Sequence, residues 1–352
     1  MFRTDSLQHI AYVTTLSTNM RRHNTLQHPA FLFVAVACLW GGSFVAMNLG
    51  LESLPPVLFA AMRYDIASLA LISTALILRK DIRPQSIGDL QLIAVGSVLI
   101  ISVPSIFLFV GQQYVTSAIA AVLISLTPVL TPVFAYVLLA DERLGARGAV
   151  STLLGLAGII VIANPDTATT GQLVGVGLIA ASTSAFALGS VLAARYVRSM
   201  SMIPLHAWSM AVSAIILHGI SYGLVGEPIP QAAVAIDVIA PLVYLGVFAS
   251  ALAYVLYFEL VETVGPNETS LVNYATPVVT AIAGWLLLGD HVTPATLAGF
   301  ILIMSGFVVL KGRVVLTSLT SVPVVGSRSV SQEDDGVVVV NGNAYVVTES
   351  GI

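Results

Sequence analysis

The chain has 352 residues, 57% of them apolar and only 9% charged, with a formal net charge of -4. So few charges cannot cover the outside of a water-soluble fold, which makes lipid the solvent for most of the chain; nor do they supply the bulk basicity that nucleic-acid binding needs. The single cysteine, Cys38, excludes an intrachain disulfide framework and a cysteine-built zinc site.

In chain order, residues 1–29 are polar, carry no apolar run of signal-peptide length, and read as a disordered cytoplasmic tail. Ten apolar runs able to cross about 30 Å of hydrocarbon follow. They lie at 30–51, 57–78, 90–110, 117–140, 148–163, 173–194, 203–225, 238–258, 269–288 and 294–310, the fifth and tenth being short. On the first, Trp40, Phe44, Met47 and Asn48 are spaced to share a face that Gly41 and Gly42 leave closely approachable. Two readings are open: substrate binding, with Trp40 stacking and Asn48 hydrogen bonding, or ordinary helix packing. The second run holds the only charges of the spans, Arg63 and Asp65, whose i,i+2 spacing points them to different faces. Arg63, roughly 9 Å from its helix end, either contacts substrate or a neighbouring helix, or snorkels to the headgroups. Asp65 is deeper and shorter, and is a candidate for a helix partner or for a coupled proton.

Pro104, Pro128, Pro132 and Pro277 sit inside apolar runs, and each removes a backbone hydrogen bond. The resulting kinks are candidate gating points or static bends. His206 and His218 share the seventh run with no acidic partner on it, and read as packing or interfacial residues. Tyr254, Tyr257 and Phe258 on the eighth run, with Asn273 and Tyr274 on the ninth, form a second polar-aromatic set. Some of these tyrosines suit the interfacial belt equally, as Tyr114 does. Glu259 and Glu262 read as solvated. Residues 312–352 leave the membrane as a second cytoplasmic tail. Their two apolar runs around Asn341-Gly342 allow a hairpin, but an isolated hairpin is marginal in water and a mostly disordered tail is the expectation.

The loops alternate in charge. Numbering from a cytoplasmic N-terminus, the inside segments hold 13 of the 14 Lys and Arg residues, while the loops at 52–56, 111–116, 164–172, 226–237 and 289–293 hold none. This asymmetry supports ten spans with both termini inside.

Shifting the chain by 149 residues lays Thr127-Pro128-Val129 over Thr276-Pro277-Val278 and Leu138-Leu139-Ala140-Asp141 over Leu287-Leu288-Gly289-Asp290. Each segment is the fourth of a five-helix set. An odd number of spans per copy inserts the second copy upside down, the inverted repeat found in many secondary transporters.

The stretch Cys38-Leu39-Trp40-Gly41-Gly42-Ser43-Phe44, then Pro56 to Tyr64, then the proline-bearing fourth helix ending Leu139-Ala140-Asp141-Glu142, resembles EamA-type transporters of the drug/metabolite transporter superfamily. The resemblance covers 30–163 and 172–311 as two five-helix repeats. It implies an all-α, polytopic, ten-helix permease that moves small metabolites, often outward, through a cavity between the halves. The copies depart from the family pattern at His291, where the first has Glu142, and at Phe186, where a tryptophan is common.

The functional expectation is therefore a secondary permease working by alternating access on a small-molecule substrate, amino acids or amphipathic metabolites among them, with no cofactor. Substrate is expected near Trp40, Asn48, Arg63, Tyr254, Tyr257, Asn273 and Tyr274, with Asp65 as the proton-coupling candidate. The rival classes are an intramembrane enzyme and a non-transporting scaffold. The chain has no His-Glu-x-x-His helix, no Gly-x-Ser-x-Gly turn and no pair of intramembrane carboxylates. The inverted duplication argues against a scaffold.

Overall fold

The computed structural model describes residues 29–138, 145–164, 168–228, 236–265, 269–320, 337–340 and 343–346. Most of the N-terminal tail, the 139–142 end of the fourth span and the acidic run at 333–335 lie outside the described residues.

Among the described residues, ten helices occupy the ten expected spans. They are α1 (Pro29–Leu51), α2 (Pro56–Ile77), α3 (Ile87–Gln112), α4 (Ser117–Leu138), α5 (Ala146–Ala163), α6 (Thr170–Ala193), α7 (Met202–Val225), α8 (Ile236–Val264), α9 (Val272–Leu288) and α10 (Pro294–Thr320). The first eight are long and apolar enough to cross a membrane, whereas α9 and the apolar part of α10 are shorter. The fifth span, short in sequence, gains its first turn from Ala146 and Arg147.

The prolines act in different ways. Pro104 has no N–H to donate, and the turns ahead of it widen over Gly96–Ser102 so that the Val103 amide reaches back five residues to the Val98 carbonyl. The corresponding helix of the second repeat, α8, widens over Tyr244–Leu252, where the Ala253 amide reaches the Phe248 carbonyl. Pro128 does not kink a continuous helix: α4 breaks after Ile124 and restarts at Thr127, so Pro128 falls in a first turn, where a missing N–H costs little. Pro132 and Pro277 lie inside their helices.

The two halves interlock. The first helix of each repeat packs between the third and fourth helices of the other: α1 lies against α8 and α9, and α6 against α3 and α4. The second helices, α2 and α7, also pack extensively against each other. Without a hydrophobic drive between helices in lipid, such contacts rest on close backbone approach and hydrogen bonds. At Gly158 and Gly299 a Cβ on either residue would stand 2.8 Å from the other's carbonyl oxygen, which brings α5 and α10 together. Thr280 donates to the Gly41 carbonyl (2.9 Å) and Thr183 to the Leu123 carbonyl (3.2 Å), each from one half to the other.

Each face also carries a carboxylate that ties the halves. On the face whose loops hold the basic residues, Asp89 lies in the first turn of α3, fully buried. It accepts the Gln85 and Ser86 amides at one oxygen and the Ser199 and Met200 amides, just ahead of α7, at the other. On the opposite face Glu227, between α7 and α8, accepts the Val57 and Leu58 amides at the start of α2. The two ties are related by the repeat: a loop between second and third helices holds the start of the other repeat's second helix.

Residues 313–352 form a separate compact unit. In it Val337–Val340 (β1) and Asn343–Val346 (β2) pair antiparallel, Val340 opposite Asn343. These short strands flank Asn341-Gly342, which lies outside the described residues together with most of the tail expected to be disordered, and α10 extends past the membrane run to Thr320.

Candidate functional site

A cavity of about 180 Å³ lies between the halves. Its wall takes Trp40, Phe44 and Met47 from α1, Arg63 and Tyr64 from α2, Pro104 and Ser105 from α3, and Thr127 from α4. The second repeat supplies Ser182 and Phe186 from α6, Tyr254 from α8, and Asn273 and Thr276 from α9. The interlocked first helices put Trp40 and Phe186 into the same space.

Aromatic rings order one side. The Trp40 ring meets Tyr254 edge-on at 5.8 Å and lies 5.1 Å from Tyr257. Tyr254 in turn stands 5.0 Å from His206, which also contacts Phe258 at 4.8 Å. Gly42 leaves room for the Tyr244 hydroxyl, since a Cβ there would come within 2.3 Å of it; that hydroxyl donates to the Leu39 carbonyl.

Arg63 is the charged group of the wall. Its Nε donates to Ser250 Oγ at 3.1 Å, and its guanidinium carbon lies 5.3 Å from the Tyr64 ring centre and 6.0 Å from that of Phe109. Among the described residues no carboxylate pairs with it. Fixed by rings and a hydroxyl, the guanidinium keeps N–H donors for an anionic group inside the cavity. Tyr64 is held by Ser105 at 2.8 Å, and Ser182 donates to the Pro104 carbonyl at 2.7 Å, a carbonyl beside the widened turn of α3.

Of the residues expected at the site, Trp40, Arg63, Tyr254 and Asn273 line one cavity, and Tyr257 supports Trp40 from behind. Asn48 does not join them. Eight residues past Trp40 it is rotated by about 80° and displaced by about 12 Å along the helix. It lines instead a separate pocket of about 480 Å³ on the face without basic loops, with Glu52, Gln112 and Asp290. Tyr274 turns away into the protein, where its ring packs 4.3 Å from Phe307 and its buried hydroxyl has no partner. Asp65 faces α7 and accepts from His218 Nε2 at 2.7 Å. The absence of an acid on the seventh helix therefore said nothing about His218, whose acid comes from the other repeat.

Tyr64, Ser105, Ser182 and Ser250 were not foreseen as site residues, because isolated hydroxyls in apolar helices carry no spacing signal. Asp89 had one: Ser86-x-x-Asp89 is a capping-box pattern, and both of its bonds form.

The family model of EamA-like transporters matches residues 28–164 and again 173–311. An uncharacterized transporter of Archaeoglobus fulgidus is 28% identical over 275 residues, 78% of this chain and 95% of that protein. The inner membrane transporter YedA of Escherichia coli is 28% identical over 73% of this chain and 81% of its own length. Protein PecM of Dickeya dadantii is 26% identical over 80% of this chain and 91% of its length. A solved crystal structure shares the fold with a TM-score of 0.59 at 19% identity, covering 83% of this chain and 98% of that one. With its two matched repeats filling the ten-helix unit, the chain belongs to the EamA-like transporter family and is a multi-pass membrane protein.

Proposed function

We propose that the chain is a secondary permease that exports small amphipathic solutes carrying one anionic group, zwitterionic amino acids among them, by alternating access. The observation that carries this reading is Arg63, a charge with no counter-charge among the described residues, in a cavity otherwise made of aromatic rings and neutral polar or apolar groups. A cation inside a membrane protein is costly unless something pairs with it, and a solute carboxylate placed there would do so. The remaining wall suits an apolar body, and about 180 Å³ is slightly more than the 150 Å³ that holds benzene. Asn273 supplies a neutral hydrogen-bonding group. The interlocked inverted repeats supply two near-equivalent halves for exposing the cavity to either face. The basic loops support a cytoplasmic location for both termini.

Purified protein in liposomes, assayed for counterflow of labelled leucine, uridine and tetraphenylphosphonium, tests the reading. Leucine is expected to exchange, and Arg63→Gln to lower that exchange at least about tenfold, the loss of one charge-assisted contact. Exchange of tetraphenylphosphonium alone, unchanged in Arg63→Gln, would overturn the solute class. Orientation is tested separately in a Cys38→Ala background: an impermeant maleimide applied to intact cells should label Gln113→Cys and not Arg83→Cys.

A further inference from the structure

Asp65 and His218 sit on α2 and α7, the paired second helices of the two repeats. Asp65 lies nine residues beyond Pro56, about 13 Å along its helix, and His218 seven residues before Val225, about 10 Å. Both positions are within hydrocarbon depth, and one carboxylate oxygen meets the imidazole Nε2 at 2.7 Å. The Asp65 and His218 side chains are 45% and 31% exposed, so the pair is not enclosed by protein packing. The buried His218 Nδ1 has no partner among the described residues, which leaves the carboxylate as the group that the imidazole meets.

From these observations we infer that Asp65 and His218 form a proton-binding site shared between the repeats, whose occupancy controls the position of Arg63. An anionic Asp65 beside neutral His218 carries one negative charge. One added proton makes the pair neutral whichever atom holds it, and a second makes it positive. Because the carboxylate and the imidazole share one hydrogen bond, the pair loads and unloads as one unit rather than as two residues.

The surrounding groups leave this chemistry to the pair. From α7 the Tyr222 ring stacks on His218 at 5.8 Å. On α2, Arg63 is turned to Ser250 and Tyr64 to Ser105. On α8, Asp237 accepts from Ser53 and Tyr244 donates to α1. Glu227 holds the α2 amides. Asp65 and Arg63, two residues apart, project about 200° from each other. Asp65 and Arg63 share α2, so a proton on the pair acts on the helix that carries the cavity's guanidinium. This coupling rests on the transport reading above; the proton site does not.

Full-length protein labelled with ¹⁵N-histidine in lipid nanodiscs, with the His218 signal assigned by its loss in His218→Gln, reads the site directly. The signal is expected to respond to pH, and Asp65→Asn to alter that response. A signal that does not respond to pH, or a response that Asp65→Asn leaves unchanged, overturns the site. In liposomes, Asp65→Asn and His218→Gln should each lose about tenfold of pH-gradient-driven leucine accumulation, while Glu52→Ala should keep it. Accumulation that persists in either variant, or is lost equally in Glu52→Ala, overturns the coupling. If His218 titrates as expected while the unmodified protein exchanges none of the three solutes, the transport reading fails and the proton site stands.

Discussion

Replacing Glu227 with alanine is expected to loosen the junction between the repeats at the start of α2. That helix opens with Pro55 as its cap and Pro56 as its first residue, and neither supplies a side-chain acceptor. The Val57 and Leu58 amides instead reach the Glu227 carboxylate at 3.1 and 2.7 Å, and the Ser221 hydroxyl donates to it at 2.7 Å. Val57 and Leu58 are buried, so water replaces this acceptor poorly. A lost cap costs about 0.5–2 kcal/mol, and hydrogen bonds to a charged acceptor about 1.5–3 kcal/mol, which together suggest about 2–3 kcal/mol for Glu227→Ala. At about 2–4 °C per kcal/mol the melting temperature in detergent should fall by about 4–12 °C. Glu52→Ala, which removes an exposed carboxylate from the same face, is the control and should melt with the parent protein. An unchanged melting temperature in Glu227→Ala, or an equal fall in Glu52→Ala, would refute the capping argument. Asp89→Asn should loosen the matching tie at the opposite face in the same assay.

Tyr274→Phe deletes a buried hydroxyl without a partner, so stability in detergent should stay level or rise by about 1 kcal/mol, and leucine counterflow should not change. Lost counterflow would return Tyr274 to the substrate site. Gly299→Val sets a Cβ 2.3 Å from Ile162 Cγ1 and 2.8 Å from the Gly158 carbonyl oxygen; separating α5 from α10 should cost about 1–3 kcal/mol, read by unfolding in SDS. Trp40→Ala opens the aromatic side of the cavity, and counterflow should shift from leucine toward bulkier amino acids such as tryptophan. A uniform loss for all sizes would mean that Trp40 holds the helices rather than shapes the cavity.

Part of the site was legible because chemistry marked it. Arg63 and Asp65 stand out as the charges of the spans, and their i,i+2 spacing places them on opposite sides of α2, where one meets the cavity and the other α7. Trp40, Tyr254 and Asn273 stand out as large or polar groups in apolar runs. Asn48 and Tyr274 had the same residue-type signal but the wrong azimuth. Asn48 drifts by about 80° over two turns, and Tyr274 sits about 100° around α9 from Asn273.

The number of spans and the five-helix inverted repeat were determined by sequence alone, because a charge inside hydrocarbon costs several kcal/mol and must be excluded from every span. Which helix faces which was decided only by the tertiary structure. Lipid tails are as apolar as leucine, so a spanning helix needs no separate apolar stripe, and its composition does not reveal its buried side. The seating of each repeat's first helix in the other, and the meeting of Asp65 with His218 across 153 residues, come from backbone approach and hydrogen bonds made in three dimensions.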